Sequence, residues 1–219
     1  VDHGLGVAFF SLEMSSVQLV KRLISSETRI PAEKLRKGDL ADHEFQQLHS
    51  RITKLSKAPI YIDDTPGLSI FDLRAKCRRL KLQHDIQLVI IDYLQLMTAG
   101  TKGQGNREQE ISSISRSIKE IAKELNIPII ALSQLSRSVE QRGGDKKPIL
   151  SDLRESGAIE QDADIVSFIY RPEYYGLLQD EDGNSNSGIG EIIIAKHRNG
   201  GLDNVRLRFI KEYARFDNI

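Results

Sequence analysis

Short apolar runs alternating with helical stretches predict an α/β fold, a mostly parallel sheet with a C-terminal antiparallel hairpin. Three observations carry this. Runs at 7–12 (VAFFSL), 59–64 (PIYIDD), 87–92 (QLVIID), 128–134 (PIIALSQ) and 163–170 (ADIVSFIY) have strand character, and the early ones are continuously apolar, as in strands covered on both faces. Helical periodicity separates them, and strand–helix–strand crossovers of this length imply a right-handed parallel arrangement. The last two runs, 190–197 (GEIIIAKH) and 205–211 (VRLRFIK), follow each other without a helix, around the turn signal Asn199-Gly200.

The elements follow in order. In 69–84, Ile70, Leu73, Cys77 and Leu80 recur at helical spacing, with Ser69 as the cap and Asp72 as its capping-box acid. In 106–126, Ile111, Ile114, Ile118, Ile121 and Leu125 form a second apolar stripe. Three stretches rich in glycine and polar residues, 98–109, 137–148 and 177–190, read as mobile loops. Neither an internal repeat nor a dividing linker is visible, so 1–219 is expected to be one domain.

Of the 219 residues 39% are hydrophobic and 28% charged, ordinary values for a globular chain. Lys plus Arg and Asp plus Glu both number 31, a net charge of zero, so any nucleic-acid contact must come from local basic patches. The one cysteine, Cys77, rules out an intramolecular disulfide and suits a reducing cytoplasm. No apolar run approaches the ~20 residues of a membrane span, and the histidines lack zinc-ligand spacing.

The segment QLVIIDYLQL (87–96) poses the chemical question: an apolar strand stops on a carboxylate, Asp92. A buried unpaired charge is costly, so such a residue is paired, hydrated or bound to a cation. In open α/β sheets, ligands bind beyond the carboxyl ends of the strands. Glu13 follows the first strand, Asp92 closes another and Gln134 a third. An Asp in this place has the form of a Walker B carboxylate that holds Mg²⁺. A strand-terminal Asp is also commonly a mere helix cap, so the three together carry the reading.

FFSLEMS, IYIDDTPG, RAKCRRLK, LVIIDYLQLM, IIALSQLSR, LRESGAIEQDADIV and IIIAKHRNG occur in order. Together they resemble the C-terminal motor domain of DnaB-type replicative DNA helicases, over about 7–218. The resemblance implies a RecA-like P-loop NTPase fold in a homo-hexameric ring that uses ATP and Mg²⁺ to move on single-stranded DNA and unwind duplex at the fork. It implies Glu13 as catalytic base, Asp92 as the Mg²⁺ residue and Gln134 as the link between γ-phosphate state and the DNA loops. It also implies Lys196 and Arg198 as residues reaching the neighbouring subunit's nucleotide, Arg198 being the arginine finger. DNA binding would fall to Arg154, Glu155 and Gly157, with Arg142 and Lys146 in the 137–148 stretch, where Arg137 and Lys147 also lie, and with Lys102 and Arg107 nearby. Further implied partners are a primase and a helicase loader; no membrane is implied, and the location is cytoplasmic.

The basic face Arg74, Lys76, Arg78, Arg79 and Lys81 reads as a solvated surface or subunit contact rather than a DNA site. No glycine-rich loop ending in Lys-Ser/Thr occurs in the sequence. The expectation is therefore that the family's first strand, phosphate loop and N-terminal domain are missing, that these 219 residues alone do not hydrolyse ATP, and that they associate through an uncovered strand edge. Two other functions compete: a RecA-like recombination and repair ATPase, and a non-catalytic interaction module.

Overall fold

A computed structural model describes residues 3–100 and 106–219, with the backbone alone at 154–156. The chain forms two compact units, Val1–Gln134 and Leu135–Ile219.

The first unit is a parallel sheet in the order β2-β1-β3-β4. Its strands are β1 (Gly6–Ser11), β2 (Ile60–Asp63), β3 (Ile86–Asp92) and β4 (Ile129–Ala131). Ala8, Phe10, Val89 and Ile91 of the two central strands are fully buried, as continuous apolar runs require. Between β1 and β2 run three helices, α1 (Ser16–Thr28), α2 (Ala32–Lys37) and α3 (Asp42–Ser56). These three helices are additional to the elements expected from the sequence. α1 starts at a capping box, Ser15 with Gln18, and α3 carries Phe45, Leu48, Ile52 and Leu55 at helical spacing, so both are legible.

α4 (Ile70–His84) and α5 (Arg107–Leu125) match the predicted stripes. Ser69 caps α4 by accepting from the Asp72 N–H at 3.1 Å, and its hydroxyl donates to the Asp72 carboxylate at 2.6 Å. Ile111, Ile114, Ile118 and Ile121 are buried along α5. Cys77 is buried on α4, and burial pushes its thiol up to about 12, so it is an apolar filler rather than a nucleophile. The basic face of α4 is largely neutralised within the chain. Arg74 reaches Glu120 at 2.8 Å, Arg78 pairs with Glu124, Lys76 with Asp63, and Lys81 with Asp85 at 2.7 Å.

The second unit opens with α6 (Ser138–Gln141) and α7 (Gly157–Asp162), separated by a 3₁₀ stretch at Leu150–Ser156. An antiparallel sheet follows in the order β5-β6-β7-β8, from Ile165–Tyr170, Ile189–His197, Asp203–Ile210 and Arg215–Asp217. The predicted hairpin is β6–β7, extended on both sides. β5, read from sequence as part of the parallel sheet, pairs antiparallel with β6. Its alternation of buried Val166, Phe168 and Tyr170 with outward residues marks a strand covered on one face. Leu153, Val166 and Phe168 form this unit's core.

Two of the stretches expected to be mobile are held. In 177–190, Asp180 Oδ1 accepts from the N–H groups of Asp182 and Asn184, at 3.1 and 2.8 Å, and Asn186 is buried. Short Asp and Asn side chains here build turns by bonding local backbone. In 137–148, Tyr170 Oη donates to the Asp145 carbonyl and Lys147 pairs with Glu191 at 2.8 Å. Of the third, 101–105, including Lys102, lie outside the described residues.

Candidate functional site

In the first unit the chain passes from β1 to β2 on one side of β1, while β3 to β4 runs on the other. The switch point of the sheet is therefore the pair β1–β3, where a parallel α/β sheet offers a crevice beyond its carboxyl ends. Ser11 lies opposite Asp92 in the parallel register, and the Leu12 N–H donates to the Asp92 carbonyl at 2.7 Å. Glu13 follows directly and is exposed; the Asp92–Tyr93 peptide is cis. On the far side of β3, Leu132 donates to the Ile91 carbonyl at 2.9 Å and accepts from Leu94 at 3.0 Å, which sets exposed Gln134 beside the same strand end. Glu13, Asp92 and Gln134, 121 positions apart along the chain (134 − 13), thus stand at the carboxyl ends of three adjacent strands.

The Asp92 carboxyl is half-buried, and among the described residues it accepts no hydrogen bond. Burial, followed by the negative charge of Glu13, raises its pKa above the usual carboxylate range, while Arg22 opposes the shift. Two neighbouring carboxylates suit a hard divalent cation. Among the described residues no group of three or more His, Cys, Asp or Glu forms a cage. One or two carboxylates completed by water and phosphate is how Mg²⁺ is usually held. The neighbouring strand end is built differently. Asp64 accepts from the Ser16 N–H at 2.7 Å at the start of α1. Burial alone would raise Asp63, but its bonds from Lys76 and Thr65 bring it below the ordinary range.

In the second unit Lys196 and Arg198 stand at the end of β6. Lys196 Nζ donates to the Glu160 carbonyl and, at 3.4 Å, to that of Gln161, at the C-terminal turn of α7. A cation at a helix C-terminus meets unsatisfied carbonyls. Arg198 Nη1 lies 3.0 Å from Asp164 Oδ1, and its N–H donates to the Asp164 carbonyl at 2.8 Å. Both side chains of that ion pair are about half exposed, so the guanidinium retains donors toward solvent.

The candidate DNA residues divide. Gly157 opens α7 with helical φ −52° and ψ −25°, and a Cβ there would meet nothing within 4 Å. Among the described residues, no neighbour therefore demands glycine at this position. The side chains of Arg154 and Glu155 lie outside the described residues. Lys146 Nζ sits 5.7 Å from the Tyr175 ring centroid. Arg142 is committed internally. Its guanidinium donates to the carboxylate of Asp152, which is only 3% exposed, and to the Lys147 carbonyl at 2.9 Å. Asp152 also accepts from the Ile149 N–H at 2.8 Å through Oδ2 and from the Ser136 N–H at 3.1 Å through its carbonyl. Arg107, too, spends its guanidinium on the carbonyls of Gln95 and Met97, at 2.6 and 3.2 Å.

The Arg142–Asp152 pair makes a stability prediction. Removing Arg142 leaves the buried Asp152 carboxylate uncompensated; because the guanidinium is itself a third exposed, the cost is about 2–3 kcal/mol, below that of a fully buried pair. Arg142→Met is expected to lower the unfolding free energy by about that much, and adding Asp152→Leu to recover most of it. Denaturant titration of the three variants checks this. An Arg142→Met change below ~1 kcal/mol would show that the pair is not buried in solution.

Sequence reasoning missed Gln95. Its carboxamide bonds the Ser133 hydroxyl and the main chain of Gln134, and its only signal was a polar residue two positions after an apolar strand's closing Asp-Tyr.

Comparison with known proteins agrees with this architecture. The chain matches the family described as DnaB-like helicase C terminal domain over residues 1–218. Over 213 residues it is 54% identical to the replicative DNA helicase DnaB of Geobacillus stearothermophilus. Over the same length it is 52% identical to the replicative DNA helicase DnaC of Bacillus subtilis (strain 168). Each alignment covers 97% of this chain and 46% of the relative. The chain thus spans about half the length of the curated relatives it matches. Among solved structures, a DnaB-like replicative helicase studied for its interactions with primase superposes with TM-score 0.90 at 43% identity, covering all of this chain and 51% of that one. A second solved structure, that of an ATPase domain, gives the same score and identity, with 76% of that chain covered. The RadB recombinase, at 17% identity and TM-score 0.53, shares the fold alone. A parallel sheet with Glu13, Asp92 and Gln134 at its switch point, continuous sequence identity and close superposition point one way: the chain belongs to the DnaB-like helicase C-terminal domain family.

Proposed function

We propose that the chain is the motor-domain part of an ATP-dependent replicative DNA helicase, a single RecA-like domain that acts in a homo-hexameric ring on single-stranded DNA. The observation that carries this is the convergence of Glu13, Asp92 and Gln134 on one sheet end at the switch point. In this reading Asp92, of Walker B form, would hold Mg²⁺ directly or through water. When bound, that cation neutralises charge on the phosphates. Glu13, exposed beside it, accepts the proton of the attacking water, and Gln134 senses the terminal phosphate. Lys196 and Arg198 reach the nucleotide of the next subunit; Arg198 is exposed at the hairpin end, while half-buried Lys196 would first have to leave the α7 carbonyls. A fixed guanidinium fork suits the equatorial oxygens of a transferring phosphoryl group.

For DNA, the free space around Gly157 supports close approach of a phosphate backbone, with Arg154 and Lys146 supplying charge and Glu155 alongside. Arg142, bound to Asp152, serves by positioning the 137–148 segment rather than by touching phosphate. A primase and a loader are proposed as further partners from the family, and a cytoplasmic location accords with the reading. Among the described residues no helix is long and apolar enough to cross a membrane.

The test is ATP hydrolysis with and without single-stranded DNA, by a version extended upstream through a phosphate-binding loop. Turnover is expected to rise with DNA, and Gly157→Ala to remove that rise. Because position 157 is helical and open, alanine there should stabilise the fold by ~0.5–1 kcal/mol, so a loss of stimulation cannot be ascribed to unfolding. Absence of nucleotide turnover in the extended protein would sink the reading in favour of a non-catalytic interaction module.

A further inference from the structure

Gln95 lies in the 3₁₀ turn Leu94–Leu96, just past the Asp92 end of β3. Its Nε2 donates to Ser133 Oγ at 2.9 Å and to the Gln134 carbonyl at 3.3 Å, while its Oε1 accepts from the Gln134 N–H at 3.2 Å. One carboxamide thereby mimics a peptide group. It adds side-chain rungs where the backbone ladder of β3 and β4 ends, beyond the bonds of Leu132 to Ile91 and Leu94. The turn that carries Gln95 is itself braced. Arg107 donates to the carbonyls of Gln95 and Met97 and pairs with Glu110. Glu110 in turn accepts from the Ala99 N–H at 3.1 Å, and that bond, more than burial can offset, holds its carboxyl below the usual range.

Gln134 is also the last residue of the first unit; Leu135 opens the second. A bidentate hold on its main chain therefore acts where the chain leaves the parallel sheet. Among the described residues the Gln134 side chain makes no hydrogen bond, so the clamp fixes the backbone and leaves the carboxamide free for a ligand.

We propose that Gln95 is a positioning residue that locks the Gln134 main chain to the Asp92 end of β3, so that a displacement at the nucleotide site passes into the segment beginning at Leu135. This rests on the functional reading above. Without the clamp, Gln134 retains its identity but loses its fixed relation to the strand end. Nucleotide binding then survives while its coupling to DNA fails.

The experiment uses the full-length protein as wild type, Gln95→Met and Gln95→Glu. Methionine keeps the length and removes every hydrogen bond; glutamate keeps the acceptor for the Gln134 N–H and loses both donations. Amide hydrogen exchange over 132–136 and ATP turnover with and without single-stranded DNA are measured on each. In Gln95→Met the Gln134 amide is expected to exchange about tenfold faster, the consequence of losing roughly 1.4 kcal/mol of local hydrogen bonding. DNA stimulation of kcat should fall about fivefold or more, with the KM for ATP within about twofold, as for loss of an interaction not used in ground-state binding. Gln95→Glu should lie between wild type and Gln95→Met in both readouts and so guards against a methionine variant that misfolds. Unchanged exchange in Gln95→Met overturns the proposal. So does faster exchange with DNA stimulation intact, which would make the clamp purely structural. A wild-type protein that shows no DNA-stimulated turnover overturns the functional reading, and the coupling role with it, before any substitution is compared.

Discussion

Arg198→Ala is expected to reduce ATP turnover by about 10³- to 10⁵-fold in the assembled protein, the range associated with loss of an arginine finger. The ion pair with Asp164 at 3.0 Å is half exposed on both sides, so its loss should have little effect on stability. The catalytic loss and the structural loss are therefore separable by measuring the unfolding midpoint of the same variant. The assignment in trans has a sharper check. On the proposed reading, a ring of heterologous interfaces would take Glu13 from one subunit and Arg198 from the next at each site. Mixing Arg198→Ala subunits with Glu13→Gln subunits, each inactive alone, rebuilds an intact site at about a quarter of the interfaces. Recovered turnover in the mixture is the expected result. A mixture as inactive as its components would show that Arg198 acts within its own subunit or not at all.

Glu13→Gln is the second large effect: kcat should fall by about 10²- to 10⁴-fold, the usual contribution of a positioned general base. Glutamine preserves shape, and Glu13 is exposed at the end of β1, so the fold should be unaffected. The electrostatic consequence has a definite sign. Burial is the main cause of the raised Asp92 pKa, and the charge of Glu13 adds to it. Removing that charge lets Asp92 ionise at lower pH. Glutamine also removes a negative charge that helps attract the cation, so Mg²⁺ affinity should fall modestly while the proton acceptor is lost. Nucleotide binding at saturating Mg²⁺ is expected to remain, with turnover gone, and equilibrium binding beside steady-state kinetics checks both halves. Retention of more than roughly a third of wild-type kcat would remove Glu13 from the base role.

Much of this is legible in the sequence. The strand runs ending at Asp92 and before Glu13 and Gln134, and the apolar stripes of α4 and α5, depend on spacing within a few residues, which the sequence displays directly. Helices α1 and α3 carried equally local signals, in the Ser15/Gln18 box and the Phe45-to-Leu55 stripe. β5 was harder to place, since a run such as ADIVSFIY suits either kind of sheet until its partner is known.

The functions of the cations were not legible. Arg142, Arg107, Arg74 and Arg78 all look available in a linear reading, yet each is bound to a carboxylate or carbonyl within the chain. Likewise 177–190 has the composition of a loose loop, but Asp180 turns it into a bonded one. Gln95 shows the same limit: a carboxamide becomes a clamp only where a main-chain N–H and C=O from 39 residues away (134 − 95) stand at the right separation.

The class of the fold and the three polar strand ends thus come from the linear chain, because apolar periodicity and its termination are local properties, and the family from the resemblance of seven ordered motifs. The strand order that creates the switch point, the second sheet, and the choice of which charged groups stay open to a ligand emerge on folding. Those depend on pairings between residues far apart in the chain, and a hydrogen bond or ion pair exists only when folding brings both partners to the same place.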